Sequence, residues 1–74
     1  MSKLPSLKSK EVIKILHKLG FKKIRQKGSH AFFSHSSGKT TVVPIHQGRN
    51  IGKGLLHSIL HDIQISPEEF NKLK

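Results

Sequence analysis

The sequence predicts an α+β domain, a three-stranded antiparallel sheet with helices on one face. Two segments with helical spacing of apolar residues flank a central block of three short segments that lack it. Glycine-bearing turns divide that block, and 74 residues leave room for one small core. A chain of this length buries only about 60 to 65% of its unfolded surface, so residues 1–74 are expected to form a single domain of modest stability. No period of roughly 20 to 50 residues and no low-complexity stretch suggests repeats.

Val12, Ile15, Leu16 and Leu19 fall at i, i+3, i+4 and i+7 and predict a helix over 10–19, with Lys10, Lys14, His17 and Lys18 on its polar side. Ser9 is placed to cap this helix and Gly20 to end it. Residues 21–26 lose the helical period and predict a strand, followed by a turn at Lys27, Gly28 and Ser29 and a second strand over 30–35. A hairpin turn over 36–39 leads to a β-branched third strand over 40–45, where Pro44 lacks an N–H that only a strand end or an edge tolerates missing. A loop is expected over 46–54. Leu55, Leu56, Ile59, Leu60 and Ile63 then form the stripe of a second helix that packs on the sheet. Ser66, Pro67 and Glu69 supply the cap, the first-turn proline and the capping-box acid of a short last helix that carries Phe70 and Leu73 inward. The predicted order is α-β-β-β-α-α.

Lys and Arg number 14 against 4 Asp and Glu, a net +10. Residues 1–54 hold 12 basic and 1 acidic side chain (+11), and residues 55–74 hold 2 and 3 (−1). A domain this positive attracts polyanions, so a nucleic acid or an acidic protein is the expected partner. A merely soluble cationic protein is the bland alternative. The absence of Cys excludes disulfides, thiolate zinc sites and a cysteine nucleophile, and suits the cytoplasm. No apolar run predicts a signal peptide or a membrane span.

There is no phosphate-binding glycine loop and no dinucleotide fingerprint, and the four carboxylates, Glu11, Asp62, Glu68 and Glu69, are too scattered for a metal cluster. The six His are therefore the groups suited to acid/base work. His57 and His61 have the i, i+4 spacing of zinc ligands, but Ser58 stands where a metalloprotease needs Glu and no third ligand is evident, so both are expected on a solvated helix face. His17 is expected at the surface as well. His30 opens a strand after Gly28 and Ser29, close in sequence to Arg25 and Lys27, where an imidazole can meet a phosphate held by those cations. On composition alone a half-buried strand histidine with one hydrogen bond is the favoured reading. On an unbroken strand His35 points to the opposite face.

Leu19-Gly20-Phe21, Arg25-Gln26-Lys27-Gly28-Ser29-His30, Val43-Pro44-Ile45-His46, Gly54-Leu55-Leu56 with Ile59-Leu60, and Ser66-Pro67-Glu68-Glu69-Phe70 together resemble the HicA (YcfA-like) toxin family. The likeness covers nearly the whole chain, and the Gly-Ser-His unit is its most specific part. One departure is Gln64, where the resemblance leads to an expected Gly. The resemblance implies a fold similar to a double-stranded-RNA-binding domain, an mRNA-cleaving toxin of a type II toxin-antitoxin system, a catalytic histidine matching His30, and a HicB-type antitoxin partner.

With no metal site or cofactor expected, the simplest cleavage is attack by the RNA's own 2′-OH on the adjacent phosphorus. Neutral His30 would take the 2′-OH proton. Arg25 and Lys27 would hold the phosphate, with Lys22, Lys23 and Ser29 beside them and the first helix sharing in the grip. His46 is the candidate acid for the leaving 5′-oxygen; otherwise it fixes the loop after Pro44. Two other functions compete: a non-catalytic RNA-binding module of the same fold, and an interaction protein that docks an acidic partner.

Overall fold

A computed structural model describes residues 7–45 and 50–73. Along the chain run β1 (Leu7–Lys8), α1 (Ser9–Lys18), β2 (Lys22–Lys27), β3 (His30–Ser34), β4 (Thr40–Pro44), β5 (Asn50–Ile51), α2 (Lys53–Ile63) and α3 (Pro67–Leu73). Strands β2, β3 and β4 form an antiparallel sheet in that order, and β1 pairs separately with β5. The α-β-β-β-α order and the last short helix match the expected class. The expected loop over 46–54 differs from the structure at its end: Asn50 and Ile51 pair with Lys8 and Leu7, and α2 starts two residues before Leu55. Residues 46–49, and with them His46, lie outside the described residues.

Alternation in β3 and β4 sends Ala31, Phe33, Thr41 and Val43 to one face, where all four are buried. Val12, Ile15 and Leu16 of α1 and Leu56, Ile59, Leu60 and Ile63 of α2 cover that face. Full burial of a side chain such as Phe33 stabilises by about 1.5–3 kcal/mol. Thr41 is a polar residue in this layer, and its hydroxyl donates to Asp62 Oδ2 at 3.0 Å, which ties β4 to α2. His17 is exposed on α1, yet its ring meets Phe33 edge-on at 6.1 Å.

The ends of the helices repeat one device. At the end of α1, Phe21 N–H donates to Leu16 C=O and Gly20 N–H to His17 C=O, with Gly20 at φ +93°, a Schellman motif. At the end of α2, Ile65 N–H donates to Leu60 C=O and Gln64 N–H to His61 C=O, and Gln64 takes the left-handed position at φ 58°. This is the position at which the resemblance calls for Gly. A residue with a Cβ pays roughly 1 kcal/mol there. Gln64→Gly is therefore expected to stabilise the fold by about 1 kcal/mol, several degrees of Tm for a domain of this size. Thermal unfolding followed by circular dichroism checks this, and an unchanged or lower Tm would show that the left-handed backbone carries no cost.

The first cap differs from expectation. Ser9 is buried inside the first turn, and Lys8 is the capping residue, its backbone N–H held by the Glu11 carboxylate at 3.2 Å. At α3, Ser66 caps as expected, its Oγ accepting the Glu69 N–H at 3.2 Å.

Candidate functional site

The face of the sheet away from the helices brings together His30, Lys27, Arg25 and Lys22 of the predicted site residues. Strands β2 and β3 are joined by Gly28 and Ser29 alone; Gly28, at φ 58°, takes the first position of the two-residue turn. Lys27 belongs to the strand and stands directly opposite His30. Ile45 N–H donates to Ser29 C=O, which fastens this turn to the end of β4. Pro44 is the last residue of edge strand β4 and lies opposite His30 on its other side.

A β-bulge decides which cations share the face with His30. The pairs are Lys27 with His30, Gln26 with Ala31, Arg25 with Phe32, Lys23 with Phe33 and Lys22 with Ser34, so Ile24 has no partner and is 61% exposed. Lys22, Arg25 and Lys27 accordingly share the face of His30, Phe32 and Ser34. Unbroken alternation would have put Lys23 there in place of Lys22. Lys23 instead takes the other side of the edge strand, where its Nζ donates to Gln26 Oε1 at 3.1 Å. Directly opposed residues in such a ladder have Cβ atoms about 4.5–5.5 Å apart, which brings the Lys27 ammonium and the His30 ring into one anion's reach. The Arg25 guanidinium lies 4.7 Å from the Phe32 ring centroid.

Helix α1 is not brought to this face. It packs on the opposite side of the sheet, where Lys18 Nζ donates to Leu73 C=O at 3.1 Å and Lys14 lines a cleft with Leu7, Ile15 and Leu73. All four carboxylates also lie on helices: Glu11 on α1, Asp62 on α2, Glu68 and Glu69 on α3. No strand carries an acid, so the open face of the sheet is basic without internal neutralisation. The His30 side chain is exposed and makes no hydrogen bond among the described residues. His35, past the end of β3, packs its ring 5.0 Å from Phe21, and its Nδ1 accepts the Ser37 N–H at 3.0 Å, away from His30. His57 and His61 stand exposed on α2, and no group of three or more metal-ligating side chains gathers among the described residues.

Residues 9–65 match the family described as the HicA toxin of bacterial toxin-antitoxin systems. The chain belongs to the HicA toxin family. It is thus the toxin component of a toxin-antitoxin pair and has an antitoxin as partner. No curated protein matches the chain. No helix among the described residues of this HicA-family chain is long and apolar enough to cross a membrane.

Phe32 is a residue of the open face that sequence reasoning missed. Of the four Phe, in a chain without Tyr or Trp, Phe21, Phe33 and Phe70 are buried in the core while Phe32 lies half-buried on the open face. The signal was the step from Phe32 to Phe33, since neighbours on a strand point to opposite faces.

Proposed function

We propose that the chain is a metal-independent endoribonuclease that cleaves mRNA and thereby blocks translation in the cytoplasm. The observation that carries this reading is the shared face of His30, Lys27, Arg25 and Lys22, with every acidic side chain on the helices. An RNA backbone drawn to that face meets one imidazole beside the row of cations. His30 removes the 2′-OH proton, the 2′-oxygen attacks phosphorus, and the P–O5′ bond breaks. Lys27, opposite His30, and Arg25 stabilise the charge that develops on the phosphorane, with Lys22 and Ser29 at the margins of the grip and Lys23 contributing charge from the flank. His46 is the acid proposed for the leaving oxygen.

The antitoxin is proposed to be of the HicB type, in a type II system, and to be acidic on the surface that covers His30, Arg25 and Lys27. Association would then be fast at low salt and slow as ions screen the two faces.

Incubating the full chain with labelled RNA and DNA of one sequence tests the function. Cleaved RNA beside intact DNA is the expected result. RNA bound but uncleaved would make the protein a binding module, and neither would leave an interaction protein.

The face also fixes the salt response. If Lys22, Arg25 and Lys27 each neutralise a phosphate of a single strand, affinity should fall about 20-fold between roughly 50 and 200 mM salt. Lys27→Ala should lower the log–log slope by about 0.7, while Lys14→Ala, behind the sheet, should leave it unchanged. Fluorescence anisotropy across a salt series reads both, and equal effects of the two variants would place the binding face elsewhere.

A further inference from the structure

The open face of the sheet is divided lengthwise into two strips. Along β2 run Lys22, Arg25 and Lys27; along the β3–β4 ladder lie Phe32, Val42 and Pro44, all half-buried and, among the described residues, with no helix over them. His30 sits where the strips meet, flanked by Lys27 on one side and Pro44 on the other. A nucleotide has the same three-part order: an apolar base face, a ribose carrying the 2′-OH, and an anionic phosphate.

We infer that this face holds one unpaired nucleotide, with its base stacked on the Arg25–Phe32 pair, its ribose farther along β3 over His30 and its phosphate across the ladder at Lys27, so that the substrate is single-stranded RNA. The inference rests on the ribonuclease reading above and adds the substrate's form and the residues that select it.

Three observations support it. First, Phe32 is the one Phe that the core does not use, and the guanidinium at 4.7 Å from its centroid makes a flat cationic platform of the kind on which unstacked bases lie. Second, Phe32 and His30 are two residues apart on β3, about 6.6 Å at roughly 3.3 Å rise per residue, so a base and its own ribose can occupy both at once. Third, the complementary charge is on the correct side: the phosphate of a nucleotide so laid falls on the cationic strip, and no acidic side chain stands on any strand. A duplex keeps its bases stacked inside and cannot present one to Phe32. Its regular backbone also holds the 2′-oxygen out of line with the P–O5′ bond, and an unstacked nucleotide is free to align.

The test measures binding apart from cleavage, in the full chain carrying His30→Ala. Ligands are a short single-stranded RNA, the same strand in a blunt duplex, and the single strand with abasic sites walked along it. The single strand should bind at least about tenfold tighter than the duplex at equal salt. Phe32→Leu, which keeps an apolar side chain on the strand, should lose about tenfold for the single strand and little for the duplex, and Phe32→Tyr should retain the affinity. One abasic position should cost the same factor and cost nothing further in Phe32→Leu, a coupling that a merely structural Phe32 would not produce. Single strand and duplex bound equally, or abasic and Phe32 losses that simply multiply, would overturn this inference and leave the ribonuclease reading intact. No RNA binding at all would overturn both.

Discussion

His30→Ala is expected to lower RNA cleavage by about 10² to 10⁴-fold and to abolish toxicity while the protein still folds and binds RNA. The separation of these effects follows from where His30 lies. It is the first residue of β3, exposed, and, among the described residues, it lies on the face that no helix covers and makes no hydrogen bond. Removing such a ring should change stability by no more than about 0.5 kcal/mol. The circular dichroism spectrum and Tm should match wild type, and RNA affinity should fall little, since Lys22, Arg25 and Lys27 remain. Imidazole added to the folded variant should restore part of the rate, because the missing group is a base and the vacated face is open to solvent. A folded His30→Ala protein that still cleaves at the wild-type rate would sink the assignment.

The site and the fold were legible in the sequence to different depths, for physical reasons. Helices α1 and α2 follow from local periodicity, and the Gly28–Ser29 and 36–39 turns from residue types that favour tight chain reversal, so the α+β order needed no long-range information. The two-residue strands β1 and β5 were not legible: Leu7 and Ile51 carry no pattern of their own and pair only once the chain between them has folded. The bulge at Ile24 was hidden for a related reason. A run such as Lys22-Lys23-Ile24-Arg25 alternates acceptably in either register, and only pairing with β3 exchanges Lys22 for Lys23 on the His30 face. His30, Arg25 and Lys27 lie on the near side of that bulge, so strand alternation and a hairpin turn suffice to bring them together. The expectation that α1 shares a face with His30 differs from the structure, which packs α1 on the other side of the sheet, because sequence charge does not say which side of a sheet a helix covers.

The chemistry itself makes the larger demand on experiment. If the nucleophile is the RNA's own 2′-oxygen, one 2′-O-methyl group at the cleaved nucleotide should stop cleavage there entirely, while neighbouring positions remain sensitive. Electrostatics are unchanged by that methyl, so binding should persist, which separates loss of the nucleophile from loss of affinity. The products should end in a 2′,3′-cyclic phosphate and a 5′-hydroxyl, because the bond formed is 2′-O–P and the bond broken is P–O5′. Cleavage should also continue in excess EDTA. In the opposite result, EDTA stops the reaction, the methylated strand is still cut, and a 5′-phosphate appears. That outcome would mean a metal-bound water as nucleophile. The search for ligands would then move to the exposed pair His57 and His61 on α2, one turn apart, completed from the residues outside those described or from a second molecule. The sheet face would in that case only hold the strand, and His30→Ala would weaken binding without removing the chemical step. The His30→Ala variant, the 2′-O-methylated strand, chelation and the product ends therefore each distinguish an imidazole-based from a metal-based nuclease independently.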